Sequence, residues 1–141
     1  NLTKARAAEH GATLATKAEL FSRSDAITIH MPLSDRSSGI ISAEDIGRMK
    51  KTAYLVNTSR GPLIDEPALI SALEEKRIAG AGLDVYDVEP LPKDHALRRL
   101  QNAIATPHVG YVVEENYRAA FAGVIEDIQA WLDGKPIRVL N

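Results

Sequence analysis

The chain has 141 residues, enough for one compact domain of about 100–150 residues and too few for a two-domain enzyme. Its 45% apolar and 26% charged residues are ordinary globular composition, and a net charge of -2 with no block of like charge gives no footprint for nucleic acid or a membrane surface. The lack of cysteine removes disulfides and thiolate metal sites, the four histidines show no His-x-x-x-His spacing, and no apolar run approaches the roughly 20 residues of a membrane span, so the expectation is a soluble, cytoplasmic protein without a metal centre.

In chain order, residues 3–10 read as a helix, 12–14 as a short strand and 19–21 as a helical turn. Residues 26–30 are the first of four short apolar runs rich in β-branched side chains; the others are 53–57, 80–85 and 103–106. None alternates between apolar and polar residues, as expected of strands covered by helices on both faces. Ser42 with Asp45 three residues on forms a capping box that opens a helix to Met49. The next helix begins at Asp65 and Glu66 with Pro67 in its first turn and Leu69, Ile70 and Leu73 as its buried stripe. The last carries Tyr117, Phe121, Val124, Ile125, Ile128 and Leu132 at helical spacing until Gly134 and Pro136 stop it, with Trp131 as core or interface packing. Strands alternating with helices predict an α/β fold with a mostly parallel sheet.

Ligands bind beyond the carboxyl ends of strands in such sheets, so chemistry is sought just after each run. There the sequence has His30-Met31-Pro32-Leu33, then Asn57-Thr58-Ser59-Arg60-Gly61, then Asp84 and Glu89-Pro90, then Pro107-His108-Val109-Gly110. An arginine fork can grip a carboxylate or carbonyl oxygen in plane. A histidine can take a hydroxyl proton as hydride leaves, with a glutamate to orient its ring. Asp84 can accept from the carboxamide nitrogen of a nicotinamide. His30 reads equally well as a structural or a cofactor-facing imidazole, and His10 and His95 read as surface residues.

The blocks 30–33, 56–66, 81–85 with Glu89-Pro90-Leu91-Pro92, and 106–110 together resemble the D-isomer-specific 2-hydroxyacid dehydrogenase family, which includes glycerate, lactate, phosphoglycerate and formate dehydrogenases. The resemblance implies a Rossmann-like, doubly wound parallel sheet, NAD as cofactor with NADP open, and a small 2-hydroxyacid or 2-oxoacid as substrate. By it Arg60 binds substrate, His108 is the acid/base and Glu89 its partner. Met31, Pro32, Thr58, Ser59, Asp84 and Gly110 fall at NAD contacts, as Arg60 and His108 also do, with Ser37 near the pyrophosphate.

Gly80-Ala81-Gly82 is no dinucleotide fingerprint, because it opens a strand instead of following one and position 85 is Val. The family's first strand, glycine turn, helix and second strand are not found here, nor its substrate domain. The chain therefore reads as residues 1–141 of a partial NAD-binding domain, an inactive fragment of a dehydrogenase that binds NAD weakly alone. Without those strands the run 26–30 would bare an apolar edge, which predicts a homo-oligomer. The alternative is a nucleotide-sensing module of the corepressor type with the same fold.

Overall fold

A computed structural model describes residues 3–140. Four parallel strands, β1 (Ala26–Ile29), β2 (Tyr54–Asn57), β3 (Gly80–Leu83) and β4 (Ala103–Ala105), are hydrogen-bonded in the order β1-β2-β3-β4. They coincide with the four apolar runs, each shortened by one or two residues.

The connections decide where the core lies. Parallel neighbours need crossovers, which are right-handed, and a strand order that runs one way puts successive crossovers on the same face. The helix between β1 and β2 is α3 (Ala43–Gly47), and that between β2 and β3 is α4 (Glu66–Glu74). Accordingly Ile27, Ile29, Leu55, Ala81 and Leu83 pack in one cluster with Ile46 of α3 and Leu69, Ala72 and Leu73 of α4. Each buried Ile or Leu side chain among them contributes about 1.5–3 kcal/mol. The opposite row points outward, with Ala26, Thr28, Tyr54 and Ile104 exposed. Burial on both faces was expected from the sequence; among the described residues the one-way order covers only one.

Local chemistry sets the helix ends. The helix α1 (Lys4–Glu9) is capped by Thr3, and α2 (Lys17–Arg23) by a reciprocal Thr16 and Glu19 box that the sequence reading reduced to a turn. No strand forms at 12–14: Ala12 donates back to Ala7 O, closing α1 around Gly11 at φ 65°, and among the described residues no strand pairs with it. Ser42 and Asp45 cap α3 as expected, but the helix ends at Gly47, two residues before Met49. Asp45 is 7% exposed and pairs with Lys17 at 2.5 Å. Burial pushes its carboxyl up, yet Lys17 and the Ser42 N–H and hydroxyl outweigh that and hold it below its ordinary value. Asp65 caps α4 through the Ala68 N–H at 3.0 Å. Ala72 takes the place expected of Ile70, which is half-buried, because Leu69, Ala72 and Leu73 keep the i, i+3, i+4 spacing.

The chain divides into two units, the sheet-bearing one up to His108 and a second from Val109 onward. The second is built on α5 (Glu114–Leu132), which ends as expected before Gly134 but buries no residue. Trp131, expected in a core or interface, is 70% exposed in this chain. Tyr117 and Phe121 stack along the helix with ring centroids 6.0 Å apart. Among the described residues no helix is long and apolar enough to cross a membrane.

Candidate active site

The carboxyl ends of the strands are knit together by polar groups. After β2, Asn57 is 1% exposed, and its amide serves its own loop: Oδ1 accepts from Ser59 N–H at 3.0 Å and Nδ2 donates to Arg60 O at 2.8 Å. Ser59 Oγ donates to Ile29 O at 2.7 Å, tying the loop to the end of β1. Gly61 follows where nothing larger fits, since a Cβ there would stand 2.0 Å from the Tyr86 carbonyl carbon. The loop bearing Arg60 is thus seated directly on the backbone that follows β3.

On that backbone Asp84 is 5% exposed, its N–H donating to Asn57 O at 3.0 Å and its Oδ1 accepting from the Thr106 hydroxyl at 2.5 Å. The Tyr86 hydroxyl stands 2.9 Å from Leu83 O and 2.8 Å from Thr106 O, bridging the ends of β3 and β4. Glu89 is held from two sides. Its Oε1 accepts from Tyr86 N–H at 2.9 Å and its Oε2 lies 2.8 Å from His108 Nδ1. A carboxylate can only accept, so this network assigns the Nδ1 proton to the side facing Glu89. The His108 bond is the main reason that the Glu89 carboxyl lies below its ordinary value; the Tyr86 N–H and the charges of His108 and Arg60 add to it, against the cost of burial. His108 sits at φ 55°, a left-handed conformation that non-glycine residues adopt at a cost of about 1 kcal/mol or more and that gathers at functional sites.

Of the residues expected in the site, Glu89 and His108 are hydrogen-bonded to each other, and both line a cavity of about 460 Å³ with Tyr86, Leu91, Arg98 and Ala105. Arg60 is not in that cavity. Its Nη1 donates to Ser59 O at 2.6 Å, and it lines a neighbouring concavity of about 510 Å³ with His30, Met31, Pro32, Leu33, Thr58 and Ser59. Its charge still reaches Glu89. Of the residues expected to contact NAD, Met31, Pro32, Thr58 and Ser59 share this hollow with Arg60 while Asp84 does not line it; His30 is exposed, its Nε2 2.9 Å from Thr28 Oγ1. Ser37 is 5% exposed and its hydroxyl works inside its own turn, donating to Pro32 O at 2.8 Å and accepting from Ser34 N–H at 2.8 Å. Gly110 belongs to the second unit.

Sequence reasoning missed Asn57, Tyr86 and Thr106 as organisers of the site. It also misread His95, whose side chain is 20% exposed, with Nε2 3.2 Å from Glu66 Oε1 and Nδ1 accepting from Leu97 N–H at 3.4 Å. Arg98 grips the segment after Glu89, donating to Leu91 O at 2.7 Å and Pro92 O at 2.8 Å. Among the described residues no three His, Cys, Asp or Glu side chains gather to hold a metal ion.

Residues 1–110 match the family model described as D-isomer specific 2-hydroxyacid dehydrogenase, NAD binding domain. A hydroxypyruvate reductase of Blautia hydrogenotrophica is 38% identical over 87% of this chain and 38% of its own length. A D-3-phosphoglycerate dehydrogenase of Methanocaldococcus jannaschii is 49% identical over 83% of this chain and 22% of its own. A solved Ralstonia solanacearum oxidoreductase of the D-3-phosphoglycerate dehydrogenase type superposes with a TM-score of 0.90 at 40% identity, covering 98% of this chain and 41% of that one. This chain thus spans between about a fifth and two-fifths of the length of these relatives. Among similar solved structures, one was determined with NAD and another with NADPH.

Proposed function

The chain belongs to the D-isomer-specific 2-hydroxyacid dehydrogenases, and from that premise we propose that it supplies the nicotinamide side of a site that interconverts a D-2-hydroxyacid and a 2-oxoacid. The observation that carries this reading is the Tyr86 N–H, Glu89, His108 relay at the end of the sheet, beside the hollow that holds Arg60. NAD, when bound, takes or gives the hydride at the substrate's C2.

The residues present suit such a cofactor. The hollow of His30 to Leu33 and Thr58 to Arg60 is concave, with two hydroxyl side chains in its wall. The buried Asp84 carboxylate at the end of β3 suits the amide hydrogens of a carboxamide. Met31, Pro32, Thr58, Ser59 and Asp84 are the proposed cofactor contacts, with Ser37 acting through the turn that it holds.

His108 then receives the substrate hydroxyl proton at Nε2 in oxidation and returns it in reduction, while Glu89 at Nδ1 fixes the ring and stabilises the imidazolium. Arg60 grips the substrate carboxylate. Its guanidinium is exposed on a flexible stem, so leaving the Ser59 carbonyl for a carboxylate costs little beyond rotamer freedom, and the charged pair is the stronger bond.

The 141 residues contain no G-x-G-x-x-G turn, so no helix N-terminus of that kind receives the pyrophosphate. On their own they are expected to bind NAD weakly and to turn over no hydroxyacid. The direct test is to assay the product of the complete gene with NADH and a panel of 2-oxoacids including glyoxylate and hydroxypyruvate. Oxidation of NADH with formation of the D-hydroxyacid is expected wherever the product is chiral. Inactivity on every 2-oxoacid, or formation of the L-isomer, would overturn the reading.

A further inference from the structure

We propose that Thr106 is a positioning residue that fixes the Asp84 carboxylate for the carboxamide of the nicotinamide and couples that orientation to the placement of His108. This rests on the reading of Asp84 as the carboxamide acceptor. Thr106 has no role in the relay of Glu89 and His108, yet its hydroxyl donates to Asp84 Oδ1 across 22 residues of sequence, at 2.5 Å.

Three features make it a rigid donor. Its N–H is spent on Leu83 O at 2.9 Å, which registers the end of β4 against the end of β3. Its carbonyl accepts from His108 N–H at 3.1 Å and lies 2.8 Å from the Tyr86 hydroxyl. A β-branched side chain between such anchors has few χ1 positions, so its hydroxyl points in a set direction.

The consequence concerns the carboxylate plane. The Asp84 backbone is held through Asn57 O, but that bond does not choose the rotation of the carboxyl group. A hydroxyl donor to Oδ1 restrains it directly, and a short O–H···O⁻ bond is among the stronger hydrogen bonds available. The amide hydrogens of a carboxamide then meet an acceptor of defined direction. Because Thr106 stands two residues before His108, the group that aims the cofactor ring and the group that handles the proton share one anchor.

The experiment compares wild type, Thr106→Val, which keeps the shape and loses the hydroxyl, and Thr106→Ser, which restores it. Steady-state rates of the complete gene product are measured with NAD and with its 3-acetylpyridine analogue, in which an acetyl group offers no N–H to Asp84. Wild type is expected to prefer NAD, Thr106→Val to lose about tenfold of that preference, the worth of one charge-assisted hydrogen bond, and Thr106→Ser to keep it. An equal loss with both cofactors, or an unchanged preference in Thr106→Val, overturns the proposal. Absence of hydride transfer in wild type would instead count against the functional reading. The Asp84 carboxyl ¹³C resonance of the 141-residue chain then decides the role of Thr106: displaced in Thr106→Val and restored in Thr106→Ser if it orients the carboxylate, the same in all three if it does not.

Discussion

The sheet-bearing unit and the segment after His108 are both rich in apolar residues, but they use them differently. Up to His108 the aliphatic side chains of strands and helices share one cluster, and the buried polar side chains find partners in their own loops or across neighbouring strand ends. In α5 the helical spacing of Tyr117, Phe121, Val124, Ile125 and Ile128 is just as regular, yet each of these side chains is exposed. A period of 3.6 states that a face will form. It does not state what the face will cover. Burial in the first unit comes from topology: a one-way strand order with right-handed crossovers brings helices onto the sheet, and the strand ends then bring distant polar groups within bonding distance.

The sharpest break of this contrast is Leu55→Ala. Leu55 is fully buried at the centre of the sheet, so the variant should lose about 2–5 kcal/mol of unfolding free energy, read by urea denaturation. Asn57→Ala should follow with a loss of about 1–3 kcal/mol, because Ser59 N–H and Arg60 O lose the partner that the buried Asn57 amide supplies.

A smaller effect, and one that depends on pH, belongs to Asp45. Its carboxyl is depressed below the ordinary 3.8, so its contribution is fully present above that value and fades as pH falls through the depressed one. Asp45→Asn should therefore cost about 1 kcal/mol at neutral pH, and the variant and wild type should converge in acid. A gap that persists unchanged in acid would mean that the charge is not what Asp45 contributes.

Phe121→Ala should be the mildest, within about 0.5 kcal/mol in the 141-residue chain, as for an exposed position. A loss well above that would mean that the face is covered in solution.

The strands, and the position of the candidate site blocks at their ends, were legible in the sequence because both are local. A strand buried in a parallel sheet is a short unbroken apolar run, and the Asn-Thr-Ser-Arg-Gly and Pro-His segments stand where such runs end. What escaped depends on residues far apart in the chain. The run 12–14 has the composition of a strand but pairs with none among the described residues, and Ile70 lost its place to Ala72 because the helix azimuth is set by the sheet beneath it. His95 looked like a surface residue until the fold brought it against Glu66. Thr106 and Asp84 are apart in sequence and adjacent in space, as are Gly61 and Tyr86. Arg60, Glu89 and His108 were expected in one crevice; Arg60 instead lies in a separate concavity, where its side chain bonds to Ser59 O.

The central claim is that Glu89 and His108 act as one proton-handling unit while Arg60 holds the substrate, and the measurement that tests it most directly is the steady-state kinetics of the complete gene product carrying His108→Ala, Glu89→Gln or Arg60→Ala. The account predicts that His108→Ala lowers kcat by about 10²–10⁴, that Glu89→Gln lowers kcat with little change in the substrate KM, and that Arg60→Ala raises that KM as well. Wild-type kcat in His108→Ala, or an unchanged substrate KM in Arg60→Ala, would contradict it.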